Sequence, residues 1–113
     1  MATLDRFAQL SAPRQALVRL FQSVNFGHIL NVAVENGDPV FHPEPLVMLD
    51  VKLDADEGER QEADLPDFAL RDEVRRLMAR LDQLKNGRIE RIEVRSGVPR
   101  RAVIERRLTE ARL

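Results

Sequence analysis

Residues 17–40 and residues 77–100 align without a gap at an offset of 60, and this internal repeat constrains the fold more than any other feature of the chain. The first segment reads LVRLFQSVNFGHILNVAVENGDPV and the second LMARLDQLKNGRIERIEVRSGVPR. Leu17/Leu77, Gly27/Gly87, Ile29/Ile89, Val34/Val94, Gly37/Gly97 and Pro39/Pro99 are identical. Val18/Met78, Phe21/Leu81, Val24/Leu84 and Val32/Ile92 keep apolar character. Two glycines and a proline in register point to one supersecondary unit written twice.

Each unit starts as a helix. Leu17, Leu20, Phe21 and Val24 recur at helical spacing and form one apolar stripe, as do Val74, Leu77, Met78, Leu81 and Leu84. Ser11 is placed to cap the first helix, with Pro13 in its first turn, and Asp67 to cap the second. Gly27 and Gly87 are read as the left-handed residues that end the helices. Asp72 and Glu73 suit the positive end of the second helix dipole.

A hairpin follows each helix. Leu30, Val32 and Val34 alternate with Asn31, Ala33 and Glu35, and Ile92 and Val94 with Arg91, Glu93 and Arg95, the period of a half-buried strand. Asn36-Gly37 and Ser96-Gly97 mark the turns. Return strands are expected over residues 46–53 and 98–107, the first after a loop whose Pro43 and Pro45 oppose pairing. Residues 3–10 add a short helical turn, and residues 108–113 a short helix or a frayed end.

The predicted fold is α+β, a two-layer α/β sandwich of order α-β-β-α-β-β with a four-stranded antiparallel sheet. It forms a single domain over residues 1–113. Unit one spans 11–53, an acidic linker 54–66 and unit two 67–107. The uncovered sheet face should display Asn31, Ala33, Glu35, Arg91, Glu93 and Arg95, and an open face with two edge strands invites a partner.

Charge divides with the repeat. Residues 1–70 hold five basic and twelve acidic side chains, and residues 71–113 thirteen basic and seven acidic, which hides a −7/+6 split inside a net charge of −1. The chain has no cysteine, which excludes disulfides and thiolate metal sites and suits a reducing, cytoplasmic compartment. No apolar run reaches the ~20 residues of a membrane span. With no Trp or Tyr and five Phe, material for stacking on bases is scarce.

Catalytic material is equally scarce. His28 reads as a polar residue beyond a helix end, and its repeat counterpart is Arg88. His42-Pro43-Glu44 fits the H-x-E of zinc deaminases but lacks their paired cysteines. Asp54, Asp56, Glu57 and Glu59 do not keep the spacing of a calcium loop and read as a solvated linker. Neither a nucleophile elbow nor a phosphate-binding glycine pattern occurs. The chain is therefore read as non-catalytic, with no cofactor, metal or small-molecule substrate; the one enzymatic alternative is a site shared across a dimer interface, for which His28, His42 and scattered carboxylates are the available groups.

The feature that stands out is the set Arg88, Arg91, Arg95, Arg100 and Arg101 in the second hairpin, the candidate site for an anion or a partner. Arginine forks match phosphate, and a β-ribbon can enter the major groove of DNA. Interleaved Glu90, Glu93 and Glu105 oppose that use and can pair with the arginines across strands. The leading expectation is a protein-interaction module that self-associates as a homodimer or docks another protein. The alternative is a small DNA-binding or accessory regulatory protein contacting phosphates through this hairpin, although a pI near 6.1 argues against it. The run NFGHILNVAVENGDPVF resembles a pattern found in uncharacterised small bacterial proteins, over roughly residues 17–105. That resemblance implies a bacterial origin and no particular activity.

Overall fold

A computed structural model of the chain describes residues 5–54 and 65–106. Two helices and five strands follow in the order α1 (Ala12–Val24), β1 (Gly27–Glu35), β2 (Asp38–Val40), β3 (Leu46–Leu49), α2 (Asp72–Leu84), β4 (Gly87–Arg95) and β5 (Val98–Glu105). A 3-10 turn over Phe7–Gln9 precedes them. The fold is α+β, with an antiparallel sheet. Residues 55–64, most of the expected linker, and residues 107–113 lie outside the described residues.

The sheet runs β2-β1-β4-β5, and β3 also pairs with β1. It is therefore four strand positions wide but has five strands, because the return strand of unit one is broken. β2 pairs with the end of β1 and β3 with its beginning. His28 pairs with Met48, whereas Arg88 pairs with Glu105 and not with a residue sixty beyond Met48. Unit one thus carries three extra residues on this edge, in the proline-containing segment 41–45. β3 ends at Leu49 and not at residue 53, and β5 ends at Glu105.

The helices and inner strands keep the offset of 60 to the residue. In the central ladder Gly27 meets Val94, Val34 meets Gly87, Ile29 meets Ile92 and Val32 meets Ile89, so the pairing reads the same from either strand. The helical stripes cover this ladder. Leu17, Phe21, Leu81, Ile29, Ile89 and Ile92 are fully buried, each contributing roughly 1.5–3 kcal/mol of transfer free energy.

Three local expectations are corrected. Leu30 is only half-buried; the core residue is Ile29, three positions before Val32. β4 does the same with Ile89 and Ile92. Both strands shift the phase of their buried side chains at mid-length, and in β1 Asn31 takes a positive φ of 61° there. The helices do not end on Gly27 and Gly87, which are the first residues of β1 and β4. They end on Asn25 (φ 61°, ψ −63°) and Lys85 (φ 60°, ψ −64°), each at the centre of a tight γ-turn closed by Phe26 N donating to Val24 O and Asn86 N to Leu84 O. Asp67 does not cap α2, which starts five residues later. It accepts hydrogen bonds from Arg6 Nε and Ala8 N, tying the N-terminal turn to the approach to α2. Ser11 does cap α1, accepting from Arg14 N at 3.3 Å and donating to Asp38 at 2.7 Å.

Candidate functional site

The strand register sets what the open sheet face presents. One row across it is Leu46, Leu30, Arg91, Val103 and the next is Met48, His28, Glu93, Arg101. Leu46, Leu30 and Met48 thus make the unit-one side of these rows mainly apolar, and Arg91, Glu93 and Arg101 make the unit-two side mainly charged, with His28 and Val103 the exceptions. The expected open-face residues Asn31, Glu35, Arg91 and Arg95 are exposed, and Ala33 and Glu93 half-buried.

The five candidate arginines do not form one cluster. Arg88 donates to Glu105 across the β4–β5 ladder at 2.8 and 2.5 Å. Arg95 Nε lies 2.7 Å from Glu93. Arg100 is the extra residue at a β5 bulge and donates to Glu73 of α2 at 2.9 Å, away from the open face. Arg91 and Arg101 are exposed and make no ion pair among the described residues. Exposed pairs of this kind contribute only ~0–1 kcal/mol each, but they neutralise three of the five charges.

The clearest exposed surface lies on the other edge. Leu46, Met48 and Leu49 of β3 are 56%, 51% and 60% exposed, and Val51 and Leu53 beyond it 61% and 95%. Only Val47 of this stretch packs on the core. The alternation of residues 46–53 therefore does not bury one face. Leu49 pairs with Gly27, the first residue of β1, so no further β1 residue lies beside Val51 or Leu53. Beyond β3, no other strand among the described residues pairs with this edge.

A groove runs between α2 and β5. Glu73, Arg76, Leu77 and Arg80 line it from the helix, and Pro99, Arg100, Arg101, Ala102 and Ile104 from the strand, around a volume of about 410 Å³. It continues past Leu84 into a hollow of about 510 Å³ bounded by Arg80, Gln83, Ile104 and Arg106. Sequence reasoning missed this groove. The helical spacing of Glu73, Arg76, Leu77 and Arg80 put them on one face, but nothing in the sequence placed β5 against it.

Arg14 was also missed as anything beyond a basic residue. It is 7% exposed on α1, donates twice to Gly37 O (3.1 and 2.8 Å) and once to Asp82 of α2 (2.5 Å). Its counterpart sixty residues on is Val74, so the clamp exists once. Its bonds are all internal, which makes it a strut of the fold. Near the N-terminal turn, Phe7 stacks on Phe68 with ring centroids 4.8 Å apart, and the Arg19 guanidinium lies 4.3 Å over the Phe7 ring. Asp67 titrates below the ordinary carboxylate value, chiefly through its hydrogen bond from Arg6 and then that from Ala8.

The histidines stay apart. His28 is the second residue of β1, not a residue beyond a helix end, and sits between Met48 and Glu93 on the open face. His42 is exposed in the loop between β2 and β3. Among the described residues no group of three or more His, Asp or Glu is placed to hold a metal ion. None of the described helices is long and apolar enough to cross a membrane. No family model, no curated protein and no solved structure matches this chain.

Proposed function

We propose that this chain is a non-catalytic interaction module that associates with copies of itself through the edges of its sheet. The observation that carries the reading is the exposed apolar run on β3 and just beyond it, Leu46, Met48, Leu49, Val51 and Leu53. A strand edge with free peptide groups and exposed apolar side chains is a template for another chain. The two units are read as tandem copies, supported by the matching bounds of their helices and inner strands and by their helix-ending turns. A cytoplasmic setting is part of the proposal and rests on the absence of cysteine.

Sedimentation velocity over a hundredfold concentration range tests it. Mass that rises with concentration, and falls to the monomer in Leu46→Lys/Leu49→Lys, is the expected result. A wild-type chain that stays monomeric throughout overturns it.

A second reading, contact with DNA phosphates, keeps support only from Arg91 and Arg101. Two phosphate contacts predict a shallow dependence of binding on salt, with a log–log slope of about −2. Absence of binding to mixed-sequence duplex at low salt removes this reading.

A further inference from the structure

The outer side of β3 pairs with no other strand among the described residues, and its backbone has a definite phase. Asp50 N donates to Phe26 O at 2.8 Å, so the amide of Asp50 faces β1. Along an antiparallel strand the peptide groups alternate between the two sides. Leu49 and Val51 therefore turn their N–H and C=O groups toward the outer edge. The chain first bends at Leu53 and Asp54, so residues 50–52 run on in line with β3.

Side chains alternate as well. Leu49, Val51 and Leu53 are exposed and share one face. Asp50 and Lys52 share the other, the open face of the sheet, in phase with Met48. The segment Leu49-Asp50-Val51-Lys52-Leu53 is therefore symmetric about Val51 in its apolar residues and antisymmetric in its charges. An antiparallel copy of such a segment sets every apolar residue opposite an apolar one and every charge opposite its counter-charge. Neighbouring registers do not. A two-fold axis at Asp50 sets Asp50 against itself, and one at Lys52 sets Lys52 against itself and Asp50 against Asp54. An axis at Leu49 leaves Asp50 opposite Met48 and Lys52 opposite Leu46.

We infer that β3 and the residues after it pair antiparallel with the same segment of a second copy, across a two-fold axis at Val51. This rests on the self-association reading and deepens it by naming the strand, the register and the symmetry. The two Val51 residues exchange hydrogen bonds through their outward peptide groups. That makes Asp50 and the second copy's Lys52 a non-hydrogen-bonded pair, the kind whose side chains approach most closely, and opposite charges there stabilise the ladder. Leu49 meets the second copy's Leu53, so the apolar residues of both copies form one patch on the other face. The same surface serves both partners, so the contact is isologous and closes at the dimer, joining the two sheets into one.

The chain has no cysteine, so single introduced thiols report the register. A disulfide needs Cα atoms about 4.4–6.8 Å apart, and a hydrogen-bonded antiparallel pair holds them at about 5.5 Å. Val51→Cys should cross-link to a covalent dimer under mild oxidation. Leu49→Cys and Leu53→Cys should each link at least tenfold more slowly alone, because like residues then lie roughly 13 Å apart along the strands, but should link readily when mixed. Asp50→Lys should weaken association roughly tenfold by making both charge pairs repulsive, and Asp50→Lys/Lys52→Asp should restore it. All these side chains are exposed, and circular dichroism checks the fold of each variant. Sedimentation of the wild type should level off at the dimer. A mass that grows past the dimer, a Val51→Cys chain that links no faster than Leu49→Cys, or an Asp50→Lys chain that associates unchanged overturns the pairing while self-association stands. A wild-type chain that stays monomeric removes both.

Discussion

The backbone amide of Gly37 donates to the carbonyl of Lys85 at 2.8 Å, so the turn of the first hairpin closes the end of the second helix. Gly97 returns the contact on Asn25 at 2.9 Å. Each unit's turn satisfies an orphan carbonyl at the other unit's helix end, a group that would otherwise need water or a local cap. The units therefore lock through their turns as well as through the β1–β4 ladder. Gly37 has a φ of 80°, and a Cβ there would sit 3.2 Å from the Arg14 guanidinium, so a side chain is disfavoured on both counts.

Arg14→Met should destabilise the fold by about 2 kcal/mol. The methionine fills much of the volume but leaves the Gly37 carbonyl without its two donors, and an unsatisfied buried acceptor costs ~1–3 kcal/mol. Asp82→Asn should cost less than about 1 kcal/mol, because that carboxylate is mostly exposed. Urea denaturation of both variants measures the order, and equal losses would mean that the ion pair, not the turn carbonyl, is what matters.

Gly27→Ala and Gly87→Ala sit at equivalent positions and should differ sharply. A Cβ at residue 27 would lie 2.0 Å from the Met48 carbonyl oxygen, so β3 has to move, at a cost of about 2–3 kcal/mol. At residue 87 the nearest atom is the Leu84 Cδ1 at 2.8 Å, the far end of a side chain that can rotate, and the loss should stay under about 1 kcal/mol. Hydrogen exchange at Val47 and Leu49 reports whether β3 detaches in the first variant.

The shifted strand phase predicts opposite sensitivities at adjacent residues. Ile29→Ala should cost about 2–5 kcal/mol by opening a cavity in a fully buried site. Leu30→Ala, half-buried on the open face, should cost about 1 kcal/mol. Thermal denaturation distinguishes this from an uninterrupted alternation, for which Leu30 would be the costly position.

The Arg6–Asp67 contact predicts acid sensitivity. Asp67 has a folded pKa below its ordinary value of 3.8, so its contribution is fully present above that value and is lost as pH falls through the folded one. Asp67→Asn should be less stable than the wild type at pH 6, and the gap should close as pH falls below about 4. Melting temperatures at half-unit pH steps test this; a gap constant to pH 2.5 would place its cause outside the titration.

Much of the fold was legible in the sequence because local periodicity reports burial directly. Leu17, Phe21, Leu77 and Leu81 recur at helical spacing, and all four are buried. Asn36-Gly37 and Ser96-Gly97 announce hairpin turns and form them. The repeat of glycines and proline in register foreshadowed equal bounds for the helices and inner strands of both units, though not for their return strands. These features are fixed by neighbours a few residues away, which a sequence displays.

Only the tertiary structure decided the rest. Whether Leu30 or Ile29 enters the core depends on how β1 crosses β4. Whether an arginine is free depends on its cross-strand neighbour: Arg88 meets Glu105, and Arg91 meets Val103. Arg14 is buried because a turn and a helix from distant parts of the chain close over it. The apolar residues after β3 stay exposed because β1 starts too late to cover them. Each outcome is set by contacts between residues far apart in sequence, and alternation along one strand carries no information about what lies on the strand beside it.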